Sequence, residues 1–533
     1  MRVVVDGESL SDAGCRFCAA CVEVCPTGSI REHEEIAARM EGKTRDAALV
    51  PCREACPAHI DVPRYIRHIS NGDYAAAASV IREKAPFPFV LGYICSHPCE
   101  PECRRNYLNS PVSIRGLKRY AVESAGGQAQ DLQDRRAATG RNVAVIGAGP
   151  AGLTAAYYLT RKGHRVTVFE ANEKPGGMLR YGVPGHRLPR DVLDAEISKI
   201  LSNGAILKSG VKIENAQELL GQGFDAVLIA VGAHKGLKLP IPGADLDGVY
   251  INTEYLHAAE TGTAPPFAGR RVMVLGGGNV ALDCAAVALR SGASEIHLAC
   301  LETYEAMTSA EEERAWAEEE GAIIHNSKAF LEITGDGKHV TGMKLASISG
   351  FCFDENGKSI ASIIPGSEET IAADSVIFAI GQRPDINANF GVEINRNGWV
   401  AAPEEYLTSV DGVFAAGDAV TGTISVIKAI AGARGAAGKI DIYLGGDGII
   451  DVMGAPVQQV RQYIGEKDGF GKLERSESNM LPPDERSRCS NVMDLGFDED
   501  QALCEAGRCL QCDLRLDIAP QRFWTDYQDT AGS

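Results

Sequence analysis

Twice in this 533-residue chain a short apolar strand runs into a glycine-rich turn and then into a helix. The first instance is Val143–Ile146, then Gly147-Ala148-Gly149-Pro150-Ala151-Gly152, then a helix over Leu153–Lys162. The second is Val272–Leu275, then Gly276-Gly277-Gly278-Asn279-Val280-Ala281, with alanine in the last glycine's place. In this pattern the first glycine makes a tight turn. The second lets backbone approach a pyrophosphate, and the third lets helix pack on strand. The phosphates then sit at the helix N-terminus, where unpaired N–H groups collect. About 20 residues further on, a carboxylate that meets a ribose is expected. Both units have one: Glu170 after Arg165–Phe169, and Glu302 after Glu295–Leu301. The chain therefore reads as two dinucleotide-binding units.

The surroundings separate the two ligands. After Glu170 comes Lys174-Pro175-Gly176-Gly177-Met178-Leu179, and far downstream Asp411–Ala416 runs into Gly417-Asp418. In two-dinucleotide flavoproteins that Asp reaches the flavin's ribityl chain. A helix over about Ile424–Tyr443 then aims its N-terminal N–H groups at the flavin ring. The expected FAD contacts are Gly147, Gly149, Pro150, Ala151, Gly152, Glu170, Gly177, Leu179, Arg187, Gly417, Asp418 and Ile424. At the second unit Glu302 accepts hydrogen bonds from a 2′-hydroxyl and repels a 2′-phosphate. Leu301–Met307 contains no arginine, which favours NADH over NADPH. The expected NAD contacts are Gly276, Gly278, Asn279, Val280, Ala281, Glu302 and Gly381. The nucleotide unit interrupts the flavin unit, with Ala226–Gly232 and Val376–Gly381 as the joining strands. Hydride transfer between these cofactors needs no protein acid–base pair, so no catalytic side chain is named. Lys118, Arg187 and Lys428 are charges that either tune the flavin or serve an ordinary surface role.

The sixteen cysteines are too sparse for a disulfide scaffold, and they are unevenly placed. Most lie near the two ends, and the body between holds Cys284, Cys300 and Cys352. No Cys-x₂-Cys or Cys-x₄-Cys pair lies within 141–445, so disulfide reduction by a dithiol of the body is not expected. The net charge of −18 argues against nucleic acid and anionic membranes as partners. No apolar run reaches the length of a membrane span, and Met1–Glu8 meets acid too early for a secretory signal. A cytoplasmic, reducing compartment is expected, where cysteine clusters bind metal more often than they form disulfides.

Cys15-x₂-Cys18-x₂-Cys21-x₃-Cys25-Pro26 is a bacterial ferredoxin run, which holds a [4Fe–4S] cluster. Zinc is less expected, since its sites favour two spaced pairs. In two-cluster ferredoxins the fourth cysteine ligates the other cluster. Cys25 therefore serves a different cluster or completes this one; otherwise Cys489, Cys504 or a partner chain does so. A second set is Cys52-x₃-Cys56-Pro57 with Cys95-x₃-Cys99-x₃-Cys103.

With Cys56–Pro63, Cys95–Arg105, Pro111–Arg119 and Gly276–Asp283, residues about 45–445 resemble one family. It comprises the glutamate synthase small subunit, the N-terminal half of dihydropyrimidine dehydrogenase and the flavoprotein subunit of bifurcating NADH-dependent ferredoxin:NADP oxidoreductase. The resemblance implies two [4Fe–4S] clusters in a helical domain. The family's leading Cys-x₂-Cys is missing ahead of Cys52, and a matching pair stands at Cys509 and Cys512. It implies one cluster on Cys52, Cys103, Cys509 and Cys512. The other falls on Cys56, Cys95 and Cys99 with an unknown fourth ligand. Some relatives use a non-cysteine ligand in the following helix, and Lys118 holds that place here. An independent zinc or redox pair is the alternative for Cys509 and Cys512.

The expected fold is an α/β body of two nested Rossmann-like domains, a helical iron–sulfur domain and a small ferredoxin-like segment. The expected boundaries are 1–34 (ferredoxin-like), 45–135 (double-cluster), 141–250 with 373–445 (FAD) and 251–372 (NAD). A polar linker fills 126–140, and 446–533 is an extension that returns Cys509 and Cys512 to the iron–sulfur domain. The expected function is electron input, or reversible exchange, for a larger redox complex. Hydride passes from NADH to FAD, then electrons go singly through the clusters to a ferredoxin or partner subunit. Flavin-based bifurcation is implied only by the resemblance. Alternatives are the glutamate synthase small subunit itself and a relay or assembly subunit without dehydrogenase activity.

Overall fold

The computed structural model describes residues 8–33, 36, 40–126, 136–353, 359–402, 405–451, 454–456, 458 and 463–518. The chain divides into two compact units. Unit 1 joins Met1–Asp134 to Asp451–Asn479 and Gly496–Ser533; unit 2 is Arg135–Ile450 with Met480–Leu495.

Unit 2 contains two five-stranded parallel sheets. The first has the order Val413–Ala415, Ala226–Ile229, Asn142–Ile146, Arg165–Phe169, Ile206–Lys208. Its central strands are apolar on both faces because helices cover both, and Val143, Val145, Val227 and Ile229 are fully buried. Helices Pro150–Arg161 and Val426–Tyr443 pack against each other beside it. The second sheet has the order Val249–Ile251, Ser375–Phe378, Arg271–Leu275, Glu295–Ala299, Ala322–His325.

Two boundaries differ from expectation. Ser375–Phe378 pairs in parallel with Val249–Ile251 and with Arg271–Leu275, so it completes the second sheet rather than resuming the first. Val249–Ile251 likewise belongs to the second sheet. A short strand between two others is claimed by whichever sheet offers a matching apolar edge, and a run such as Val376–Phe378 does not say which. The second unit also carries a three-stranded antiparallel sheet that the sequence did not announce: Lys328–Gly335, Val340–Phe353 and Ser359–Ala372. Within the expected linker, Arg136 and Thr139 donate backbone hydrogen bonds to Arg161 and Gly163, so that part lies along the body; 127–135 falls outside the described residues.

Unit 1 is helical. Helices Val62–Ser70, Tyr74–Lys84, Pro88–Ile94 and Ile114–Ser124 enclose Tyr65, Ile66, Val80, Phe87, Leu91 and Leu117. Asp73 caps the second of these through Ala76 N, and proline opens the first and third in their first turns. The late segment Glu499–Ala506 is a helix with a capping box between Asp498 and Gln501. It packs on Val62–Ser70 and Ile114–Ser124. Among the described residues no helix is long and apolar enough to cross a membrane.

Candidate redox sites

At the first glycine loop a Cβ on Gly147 would stand 2.4 Å from the Ala230 carbonyl oxygen, and one on Gly152 1.9 Å from that of Gly147. Those two approaches set the helix start tight against the strand ends. Gly149 is the N-cap of Pro150–Arg161, and no side chain caps that helix. Its first N–H groups are thus left to an anion. Glu170 is buried beside the loop; its Oε2 accepts from Ala148 N at 2.8 Å and its Oε1 from Asn172 N at 2.8 Å. Gly177 and Leu179 belong to the start of the turn Met178–Tyr181, and a Cβ on Gly177 would stand 2.8 Å from Gly149 Cα. Gly417 approaches Ala151 equally closely. Burial pushes the neighbouring Asp418 carboxyl up to about 6. Segments 147–152, 170, 177–179 and 417–418 therefore meet at one place, a cradle whose bare backbone and two carboxylates, Glu170 and Asp418, fit a flavin dinucleotide.

The remaining candidates of this set lie differently. Arg187 is held by two buried carboxylates, donating to Asp283 at 2.8 Å and to Glu313. Those acids lie on the helix after the second glycine loop and on Glu311–Glu319. Ile424 is exposed. The helix expected from about Ile424 runs over Val426–Tyr443, and Ser425 caps it through Lys428 N at 3.4 Å; a separate short turn, Asp418–Thr421, precedes it. Lys428 is exposed.

The second loop repeats the geometry. A Cβ on Gly276 would stand 2.3 Å from the Ala379 carbonyl oxygen, and helix Asn279–Arg290 has Gly278 as N-cap and no side-chain cap. Glu302 Oε2 lies 3.1 Å from where a Cβ on Gly277 would be, so its carboxylate hangs directly over the loop. The following segment folds back: Ser309 N donates to the Gly277 carbonyl at 3.3 Å. The Asn279 side chain accepts from Ala310 N at 2.9 Å. Ala281 is buried and Val280 half-buried. Gly381 follows the strand Ser375–Phe378, and its carbonyl accepts from Leu237 N at 3.0 Å. Arg314 turns inward to the carbonyls of Ser309 and Met307 and lies over the Tyr304 ring. The sequence reading missed this Arg314 and the Asp283–Arg187–Glu313 pairing, because neither has a local motif.

In unit 1 one cavity is lined by Cys52, Cys103, Cys509 and Cys512, with Pro51, Val62 and Ile66 among the apolar walls. Residues from both ends of the sequence thus share it. Among the described residues no three Cys, His, Asp or Glu side chains converge on a single metal ion. The four sulfurs surround a space, which suits a cluster of irons; a zinc ion instead needs all donors about 2.3 Å from one point. Burial raises the Cys52 and Cys103 thiols and pushes Cys512 up to about 11, with repulsion from neighbouring thiols adding to it at Cys52 and Cys512. Metal binding must therefore displace their protons. Buried guanidinium groups stand around the cavity. Arg104 and Arg105 line it, and Arg67 makes a paired contact to Asp513 at 2.7 Å for each bond. Arg508 is fully buried; it donates to Glu505 at 2.7 Å and to the carbonyls of Pro111, Ser110 and Leu473. Glu505 in turn accepts from Ser113 N and Ser476 N. These contacts bind the Cys509–Cys512 loop to the early helices. The doublet Arg104-Arg105 was visible in the sequence; its partners were not.

Cys56, Cys95 and Cys99 are buried, as is Lys118, which is the leading charge acting on Cys56 and on Cys99. This donor set does not complete a four-thiolate cluster. In the ferredoxin run, Cys15 and Cys18 act on Cys21. Cys25 is set apart: its sulfur accepts from Ile30 N at 3.5 Å and meets the Thr27 hydroxyl, which bring it down to about 7. Cys504 is exposed and Cys489 belongs to unit 2.

Comparison with known proteins fixes the family. Residues 141–435 match the pyridine nucleotide-disulphide oxidoreductase model, and residues 45–129 match dihydropyrimidine dehydrogenase domain II, 4Fe-4S cluster. The chain belongs to the FAD and iron–sulfur oxidoreductases of this family. It is 35% identical over 496 residues to the NADP(+)-dependent formate dehydrogenase subunit beta of Moorella thermoacetica, covering 87% of this chain and 70% of that one. It is 32% identical over 451 residues to the glutamate synthase [NADPH] small chain of Mycobacterium tuberculosis, covering 78% and 89%. Among solved structures, FprA from Mycobacterium tuberculosis (His57Gln mutant) aligns with a TM-score of 0.51 at 19% identity, over 57% of this chain and 85% of that one. That likeness shows the two-dinucleotide flavoprotein fold. The resemblance read from the motifs thus holds: the chain is an oxidoreductase with flavin, nicotinamide and iron–sulfur domains.

Proposed function

We propose that this chain is the NADH-oxidising electron-input subunit of a larger cytoplasmic redox complex. It passes electrons to a ferredoxin or a partner subunit. The observation that carries the reading is the combination in one chain of two uncapped dinucleotide loops with a cavity of four thiols. The body offers no paired cysteines; Cys284 is buried alone on its helix. Bound FAD takes a hydride from a nicotinamide and releases electrons singly, and bound iron–sulfur clusters carry single electrons; no side chain supplies either chemistry. The protein's part is orientation and charge. Gly147, Gly149 and Gly152 bring backbone to the first pyrophosphate. Glu170 and Asp418 offer carboxylates to ribose and ribityl hydroxyls. Gly276, Gly278 and Ala281 do the same work at the second loop. Cys52, Cys103, Cys509 and Cys512 hold a [4Fe–4S] cluster, while Arg104 and Arg105 offset its negative charge. Cys15, Cys18, Cys21 and Cys25 form the outlet toward the partner.

Glu302 carries the preference for NADH, since its carboxylate lies over the Gly277 turn and would repel a 2′-phosphate. A second reading, NADPH as donor, is favoured by the two relatives, one NADP(+)-dependent and the other using NADPH by name. Anaerobic titration with each nucleotide decides. The expected result is flavin bleaching by NADH at lower concentration than by NADPH. Equal or better bleaching by NADPH overturns the preference, and no bleaching by either overturns the dehydrogenase reading in favour of a relay subunit. Co-purification of the native protein identifies the acceptor, and glutamine-dependent glutamate formation by the isolated complex would identify it as a glutamate synthase.

A further inference from the structure

Three of the buried cysteines of unit 1 act on one buried ammonium, that of Lys118. Cys56, Cys95, Cys99 and Lys118 are each 6% exposed or less. The charges that act on Lys118 come, in order, from Cys95, Cys99, Cys56 and Glu100. Conversely, Lys118 is the leading charge at Cys56 and at Cys99. The backbone enforces this placement. Cys95 ends the helix Pro88–Ile94, and Gly92 of that helix lies against Ile114–Ser124, which carries Lys118. A Cβ on Gly92 would stand 2.8 Å from Arg119 Cα, so the two helices touch one residue from Lys118. The carboxylate at this place is already engaged. Glu100 accepts from Arg115 N at 2.9 Å and from the Arg475 guanidinium at 2.8 Å.

A four-iron cluster needs a donor for each iron. Three thiolates satisfy three. An ammonium has three N–H donors and no lone pair, so it cannot satisfy the fourth. It also repels a further cation at that corner. A cluster that lacks the fourth iron presents three sulfides there, each able to accept one hydrogen bond. Three donors then face three acceptors, and the buried positive charge is compensated by the cluster that it faces.

We propose that Cys56, Cys95 and Cys99 hold a three-iron [3Fe–4S] cluster, with Lys118 at the corner that a fourth iron would take. This deepens the iron–sulfur reading given above and rests on it. The test is electron paramagnetic resonance and Mössbauer spectroscopy of the full-length protein, purified anaerobically. The expected result is an oxidised three-iron signal of about one spin per chain. In Lys118→Cys that signal disappears, a new four-iron signal arises on reduction, and iron content rises by about one per chain. Lys118→Met removes the charge without adding a ligand; it keeps the three-iron signal and lowers its potential. The proposal is overturned if the unaltered protein shows four-iron signals alone, or if Lys118→Cys leaves spectrum and iron content unchanged. Should Lys118→Cys not fold, the Mössbauer spectrum of the unaltered protein decides by itself. Four-iron signals alone, with normal flavin reduction by NADH, defeat this inference only. A protein without any cluster signal, or whose flavin no nicotinamide reduces, defeats the functional reading beneath it.

Discussion

Single residues set the chemistry of the two dinucleotide sites. Glu302 lies over Gly277 with no arginine in the segment that follows it up to Met307. Replacing it by arginine exchanges repulsion for attraction toward a 2′-phosphate. We expect Glu302→Arg to shift the NADPH-to-NADH ratio of kcat/KM by about 10- to 100-fold, since each 1.4 kcal/mol is tenfold. Steady-state reduction of a viologen dye with each nucleotide measures it. Asp418 supplies a second test. Its carboxyl is raised to about 6 by burial. A raised carboxyl favours the protonated form, so the flavin-free protein gains stability from it below the unfolded value of 3.8 and loses that gain as pH rises through 6. A flavin whose ribityl hydroxyls donate to this group needs it ionised. FAD affinity is therefore expected to rise between pH 5 and 7, and Asp418→Asn to flatten that rise. Flavin fluorescence titration at several pH values checks it; an unchanged slope in the variant removes Asp418 from the contact.

At the scale of elements, what was legible followed from local rules. Both strand–loop–helix units stand where the glycines placed them, because a Cβ at Gly152 or Gly276 collides with backbone. The apolar runs read as strands, such as Val143–Ile146, Ala226–Gly232, Val272–Leu275 and Val376–Gly381, all contain strands, with ends shifted by up to three residues. The antiparallel sheet was not legible. Its long strands slip register between Phe330 and Glu332 and between Ala346 and Ile348, and each slip breaks the alternation that marks a strand. The membership of Ser375–Phe378 was hidden for a different reason: which sheet a strand joins is a long-range fact. The four-thiol cavity was legible only through family resemblance, since Cys52 and Cys509 share no local pattern. The clamp around it was invisible. Glu505 and Arg508 are fully enclosed, and truncating either leaves the other charge buried alone. We expect Arg508→Ala to cost about 3–5 kcal/mol and to lower iron content, because the loop bearing Cys509 and Cys512 loses its anchor. Glu505→Gln with Arg508→Met should recover most of the stability. Chemical denaturation together with iron analysis tests both.

Considered whole, the molecule is two units that the chain enters and leaves more than once. Each has its own core and its own class of cofactor. Two separable unfolding transitions are therefore expected in calorimetry. Iron chelation should lower the transition of unit 1, because metal binding to a site absent from the unfolded chain adds to folding free energy. Removing flavin should lower the other. If both transitions moved together on chelation, the units would not be thermodynamically distinct.

The cavity between Cys52, Cys103, Cys509 and Cys512 also imposes an order on biosynthesis. As the ribosome advances, Cys52 and Cys103 emerge early as an open pair of thiols, and the whole dinucleotide body is translated before their partners exist. Iron delivered to that site too soon meets half a binding set. A chain arrested anywhere in the body cannot close the cavity. On the proposed assignment, cluster loading thereby waits until translation has passed Cys512.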